Sequence, residues 1–336
     1  MNPNFCCSKR NVKLRYIFAI PNTVQVKGHD CTRYVTRRVL FCENSKAGLT
    51  VEGVCAISLP IILAHGIVPF DALYRPLLQA GLRRLLRQPD KYDYFSGIAS
   101  HLENHGYTVF APRVPFAAEV QKRALALKRR IEVILKSTGA DRVHIIAHSM
   151  GGLDARHMIV DFDMADRVAT LTTIGTPHRG TCFADFGLAK VNWLIGFTGV
   201  LGLNLEGFRD LGTEAAAAFN ERALMAEARN PVRYATYSAH QSYGRIFTPL
   251  KLPWKYIAGR EGDNDGLVSV TSAAWTDRLG SKKVRQEAFP VPADHLNELA
   301  WWEPCELRAP RQARRLFKNK VRGIYLEMVR DAEREG

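Results

Sequence analysis

No stretch of this 336-residue chain is apolar for long enough to cross a bilayer as a helix. Residues 9–20 place basic residues ahead of a short apolar patch, but the patch is interrupted and no cleavage pattern follows, so no export signal is expected. Disulfides are poorly provided for as well. Seven cysteines is an odd number, Cys6, Cys7, Cys31 and Cys42 crowd the first 42 residues, and no C-x-x-C pair offers a zinc site. A reducing compartment, cytoplasmic rather than secreted, is the expectation. Acidic residues are short too, 33 against 47 basic, for a net charge of +14. No signature of a nucleic-acid module accompanies the basic residues, so nucleic acid is not expected as a partner. A solvated basic face is the first reading of the charge and transient contact with a lipid surface the second.

What is present organises around residues 143–160. Val143, Ile145 and Ile146 form a short β-branched run, and from Leu153 onward the apolar positions return at helical spacing, so a strand runs into a helix. Between them lies A-H-S-M-G-G, with small Ala147 two residues before Ser149 and Gly151 two after. Small neighbours permit the sharp turn that lifts a serine hydroxyl above a sheet, with a helix N-terminus behind it to stabilise an oxyanion. A capping serine in an ordinary strand-to-helix loop would look similar. The other motifs must decide.

Around this point strands and helices alternate. Residues 56–64 read as a buried strand ending in His65-Gly66-Ile67, 95–105 as a helix stopping at Gly106, and 107–111 as a strand closed by Pro112. Val120, Ala124, Leu127, Ile131, Ile134 and Leu135 share one helical face that ends at Gly139. Residues 168–174, 254–258 and 284–291 are further strand candidates, and 71–87 an amphipathic helix or hairpin. From Asn319 a helix sets Val321, Ile324, Tyr325, Met328, Val329 and Ala332 on one side. The pattern predicts an α/β fold with a mostly parallel central sheet flanked by helices. Residues 1–52 lack strong periodicity and read as an N-terminal extension, leaving 53–336 as the folded domain.

A serine nucleophile on such a sheet takes its partners in the order Ser, Asp or Glu, His. Asp265, in D-N-D-G-L-V-S, is the carboxyl candidate, with Asp263 in reserve. His295 is the one histidine downstream of it, so the order selects it as base. His65, His148 and His178 lie in motif loops and are assigned supporting roles. Oxyanion donors are expected from the N–H of Met150, the residue after the nucleophile, and from Ile67 in the early loop.

Taken together, L-A-H-G-I-V-P-F-D, A-H-S-M-G-G, T-I-G-T-P-H-R-G, N-D-G-L-V-S and D-H-L-N-E resemble the bacterial-type triacylglycerol lipases of the α/β-hydrolase fold. Y-D-Y-F-S-G-I and E-A-A-A-A-F-N resemble stretches of them as well. The similarity runs from Leu59 to Leu299 and implies the same assignment of Ser149, Asp265, His295, Ile67 and Met150. It implies hydrolysis of acylglycerol esters through an acyl-enzyme, and a helical lid insertion within 183–230 that meets lipid through Trp193, Leu194, Phe197 and Leu201. Many such lipases carry calcium beside the histidine loop. Here the residue two after His295 is Asn297, and 244–255 holds no aspartate, so no metal or other cofactor is expected. The family disulfide near the catalytic carboxyl has no counterpart, since Thr271 stands six after Asp265. A secretion foldase is not expected as a partner. Readings that share the fold are a short-chain carboxylesterase, thioesterase or acyltransferase, and, without chemistry, a binding protein.

Overall fold

In the computed structural model, residues 58–67, 94–116, 118–189, 205–301 and 311–336 are described, together with five backbone strands between residues 15 and 50. The chain divides into two compact units, Met1–Ser58 and Leu59–Gly336. In the first, β1 (Arg15–Ile20), β2 (Thr23–Gly28), β3 (Cys31–Thr36), β4 (Val39–Asn44) and β5 (Gly48–Thr50) form an antiparallel meander in chain order. Short strands of mixed polarity leave little period-2 signal, which is why residues 1–52 read as an extension without evident order.

The second unit is built on a parallel sheet. Its strands are β6 (Ile61–Ala64), β7 (Val109–Phe110), β8 (Val143–His148), β9 (Val168–Ile174), β10 (Arg233–Ser238) and, beyond the small hairpin of β11 (Arg278–Leu279) and β12 (Lys282–Lys283), β13 (Arg285–Ala288). The spatial order is β13-β10-β9-β8-β6-β7, and every pairing is parallel. Nine helices are described: α1 (Ile98–Glu103), α2 (Val120–Thr138), α3 (Met150–Asp161), α4 (Cys182–Ala189), α5 (Leu205–Arg209), α6 (Thr213–Arg229), α7 (Lys251–Ala258), α8 (Val270–Ala274) and α9 (Arg311–Glu335).

The sheet is apolar on both faces because it is covered on both. Ile61, Leu63 and Ile146 point to the side of α1 and α9, where they pack with Ile98, Leu102, Val321, Tyr325 and Val329. Ile62, Ala64, Ile145 and Ala147 point the other way, onto Ala124, Leu127 and Ile131 of α2 and Ala155 and Met158 of α3. Alternation along each strand distributes one apolar run between two cores. Each fully buried Ile or Leu contributes about 1.5–3 kcal/mol. The face expected of α2 is buried throughout, and Gly139 closes the helix at φ 67°.

Two sequence readings need correction. Residues 254–258 are helical, not extended: Trp254, Tyr256 and Ala258 alternate, but Pro253 and Ile257, four apart, are the buried pair, and Pro253 lies early enough in α7 to cost no helical donor. The strand of this region is β10, R-Y-A-T-Y-S, which the sequence reading missed because tyrosine and threonine hide its burial. Tyr234, Ala235, Thr236 and Tyr237 are all buried, a β-rich set that packs on both faces. The expected helix or hairpin at 71–87 lies outside the described residues.

Candidate active site

The chain leaves β6 outward to β7, then returns to the other side of β6 as β8, so the order of the sheet reverses between β6 and β8. Loops at the carboxyl ends of those two strands diverge and open a crevice. His65-Gly66-Ile67 follows β6 and Ser149 follows β8, so two of the predicted motifs meet at this point. Ser149 has φ 56° and ψ −134°, a conformation unfavourable for a residue with a Cβ. Backbone bonds hold it there: its N–H donates to Ile174 O at 2.9 Å, and its own carbonyl accepts from Thr176 Oγ1 at 2.8 Å. Gly151 is needed because a Cβ there would come within 2.5 Å of Ala64 O, so α3 can start close behind β6 only with glycine. Met150 opens α3, where first-turn N–H groups have no intrahelical acceptor.

Asp265 and His295 meet in one ion-pair geometry. Nδ1 of His295 donates to Asp265 Oδ2 at 2.7 Å, which leaves Nε2 with its lone pair. Oδ1 of the same carboxyl accepts from the N–H groups of Leu267 and Val268, and Asp265 O accepts from His295 N–H. Both residues are buried. The His295 ring lies 4.5 Å, centroid to centroid, from that of His148, the neighbour of Ser149 in sequence. Asp263, the reserve carboxyl, is exposed and does not join this group.

Ile67 and Met150 pack side by side in an apolar cluster with Val120, Leu153, Ala184, Phe208 and Leu211. The last three belong to the segment expected to hold the lid. Trp193, Leu194, Phe197 and Leu201 lie outside the described residues. The α6 part of 183–230 is fastened to the body: Glu227 accepts from Nε and Nη2 of the buried Arg156 at 2.8 and 2.9 Å. A cavity of about 220 Å³ beneath α6 has a mixed lining, with Gln121, His157, Asp210 and Arg222 beside Val120, Leu153 and Phe219.

Four polar residues of the site received no role from the sequence. Arg123 lies on α2 one position before the buried Ala124, and a charge on an apolar face was the signal available. Its Nε donates to both oxygens of Asp154, and Nη2 donates to Asp154 Oδ2 at 2.6 Å, to His65 O at 3.0 Å and to Gly66 O at 3.2 Å. Because a peptide's C=O and N–H point in opposite directions, fixing Gly66 O also fixes the N–H of Ile67. His65 assists: Nε2 accepts from Val114 N–H and Nδ1 donates to Gly66 O at 2.9 Å. Glu298 and Tyr94 occur in the quoted motifs. Glu298 Oε2 is 2.9 Å from His148 Nε2 and 3.7 Å from His295 Nδ1, while His148 Nδ1 meets Tyr94 Oη at 2.7 Å. Burial, then the nearby carboxyls of Asp265 and Asp294, push Glu298 well above the usual carboxyl range. Of the supporting histidines, His65 and His148 touch the site, whereas His178 is buried against Thr173 and Arg156.

Residues 60–248, more than half the chain, match the family described as alpha/beta hydrolase fold. The chain belongs to that family. A triacylglycerol lipase of Vibrio cholerae is 32% identical over 292 residues, covering 77% of this chain and 85% of its own. Triacylglycerol lipase 2 of Saccharomyces cerevisiae is 29% identical over 319 residues, covering 82% and 92%. A lipase of Bacillus licheniformis in its mature form superposes with a TM-score of 0.54 at 20% identity, over 74% of this chain and 89% of its own, a likeness of fold. This α/β hydrolase is a carboxylic ester hydrolase of the lipase type.

Burial also sets how the hydrolase responds to acid. It lowers His65, His144 and His157 to about 4 and takes His148 and His178 well below their ordinary range. It raises Asp154 and Asp294 to about 6. As pH falls from 6.5 toward 4, the unfolded chain takes up five histidine protons that the folded chain refuses, while Asp154, Asp294 and the likewise raised Glu298 hold protons in the folded chain that the unfolded chain does not yet bind. Five against three still means stability is lost on acidification through this window. The urea midpoint is expected to fall steadily between pH 7 and pH 5; a midpoint that rises would contradict the burial of these histidines.

Proposed function

We propose that this lipase hydrolyses acylglycerols with Ser149 as nucleophile, His295 as base and Asp265 as the group that orients it. Ser149 Oγ bonds to the ester carbonyl carbon as its proton passes to His295 Nε2. The N–H groups of Ile67 and Met150 receive the oxyanion, a single such donor being worth about 3–4 kcal/mol. Collapse expels the alcohol with the proton from His295, and water activated by His295 then releases the fatty acid and frees Ser149. The observation that carries this reading is the 2.7 Å Asp265–His295 contact beside a serine held at φ 56°. The relatives named triacylglycerol lipases support acylglycerol as the substrate. The apolar residues Ala184, Phe208 and Leu211, which share a cluster with Ile67 and Met150, support a lid beside the oxyanion donors.

Calcium has no place in this mechanism. Asp294, beside the base, already accepts backbone N–H groups from Phe247, Leu296 and Asn297, and the side-chain Oδ1 of Asn297 accepts from Asp294 N–H. Among the described residues the one cluster with metal-ligand spacing is His148, His295 and Glu298, and calcium prefers oxygen ligands. The test is fatty-acid release from a long-chain triglyceride emulsion and from a soluble short-chain ester, each with and without EDTA. Release from both, unchanged by EDTA, is expected. Release from the soluble ester alone would make the protein a short-chain esterase, and loss of activity on chelation would overturn the metal-free reading.

A further inference from the structure

Helix α9 runs antiparallel to the sheet. At its end Gly336 O accepts from Arg142, and Gly336 sits against His144 near the start of β8. Fourteen residues earlier, Arg322 Nη2 donates to Ser96 O at 2.8 Å, and Ser96 neighbours Tyr94, whose hydroxyl meets His148 at the other end of β8. The ~21 Å of helix between these points spans the ~17–20 Å of the strand. The turns before Arg322 therefore run ~15 Å past the sheet, on the end that carries Ser149.

Those turns are unlike the rest of the helix. From Arg311 to Arg322 there are six basic residues and no acidic one, and the first carboxyl of the helix is Glu327. Arg315, Leu316, Asn319 and Lys320 are exposed, Leu316 by 63%, whereas Phe317 packs against the core and Val321, Tyr325, Met328 and Val329 are within it. Cations in the first turns of a helix oppose its dipole, so helix stability does not account for them. An apolar side chain amid cations on the outward face of a helix fits the headgroup layer of an anionic bilayer.

We propose that the cationic first half of α9 docks on an anionic lipid surface and so presents the Ser149 end of the sheet to it. The docking stands on the helix alone; its use in catalysis rests on Ser149 as nucleophile. The test is co-sedimentation of the full chain with vesicles of phosphatidylcholine and of an equimolar phosphatidylcholine–phosphatidylglycerol mixture. The triple variant Arg314→Glu, Arg315→Glu, Lys320→Glu is carried alongside, with soluble-ester hydrolysis and melting temperature as controls. The wild type is expected to favour the anionic vesicles and to release them at 1 M salt, where screening acts within ~3 Å. The triple variant should partition at least about a hundredfold more weakly, from about fivefold per cation removed, with soluble-ester hydrolysis and melting unchanged. Equal binding to both vesicles, or full binding by the variant, would overturn the proposal. So would charge-dependent binding to a DNA duplex without binding to vesicles. Absence of soluble-ester hydrolysis in the wild type would instead overturn the catalytic reading and leave the vesicle result standing.

Discussion

Ser149→Ala and His295→Gln are each expected to lower kcat by roughly 10⁶-fold, with the double variant no slower than either, because a nucleophile and its base act as one unit. Steady-state hydrolysis of a soluble ester, with near-ultraviolet circular dichroism to verify packing, measures this. The serine replacement relieves the φ 56° turn of none of its backbone bonds, so the fold should persist. Asp265→Asn is expected to cost less than the roughly 10⁴-fold usual for a triad carboxyl. Glu298 Oε2 lies 3.7 Å from His295 Nδ1, and the Asp265 carboxyl is one of the groups that push Glu298 above the usual carboxyl range. With that charge removed, Glu298 ionises more readily and can accept the Nδ1 proton. A Ser149→Ala enzyme with normal turnover would end the proposed mechanism, and additive losses in the double variant would place His295 outside it.

The elbow was legible because its chemistry and its sterics coincide in sequence: a small residue before Ser149, a glycine after it, an apolar run on one side and helical spacing on the other. Asp265 and His295 could be chosen from chain order and loop composition without knowing that they touch. Arg123 and Asp154 could not. They belong to two helices whose faces meet only in the folded protein, and nothing local to either marks its partner. Glu298 was hidden differently. It stands three residues after His295, in plain view, but its raised proton affinity comes from burial beside Asp265, a tertiary fact. In the fold, strands of β-branched apolar residues such as β9 were found to the residue, while β10, whose burial is carried by Tyr and Thr, was not. Residues 254–258 were misread because a stretch as short as W-K-Y-I-A can satisfy period 2 and period 3.6 at once.

Arg123→Met should be the most costly change away from the nucleophile and base, and it should cost twice over. It leaves the Asp154 carboxyl buried without its cation, a loss of about 3–5 kcal/mol when one partner of a buried pair is removed. It also frees the carbonyls of His65 and Gly66, so the peptide that carries the Ile67 N–H can rotate out of the site. Loss of one oxyanion donor lowers kcat by about 10²–10³-fold with little change in KM, since the donor acts on charge that develops only during reaction. The two costs separate in a second variant. Arg123→Met with Asp154→Leu removes both charges, and apolar replacement of a whole buried pair is often neutral for stability. Its urea midpoint should return close to that of the wild type, while kcat stays depressed because the carbonyls of His65 and Gly66 still lack their guanidinium donor. If kcat returned together with the midpoint, Arg123 would act through stability alone and the oxyanion loop would hold its geometry through His65 and its own backbone.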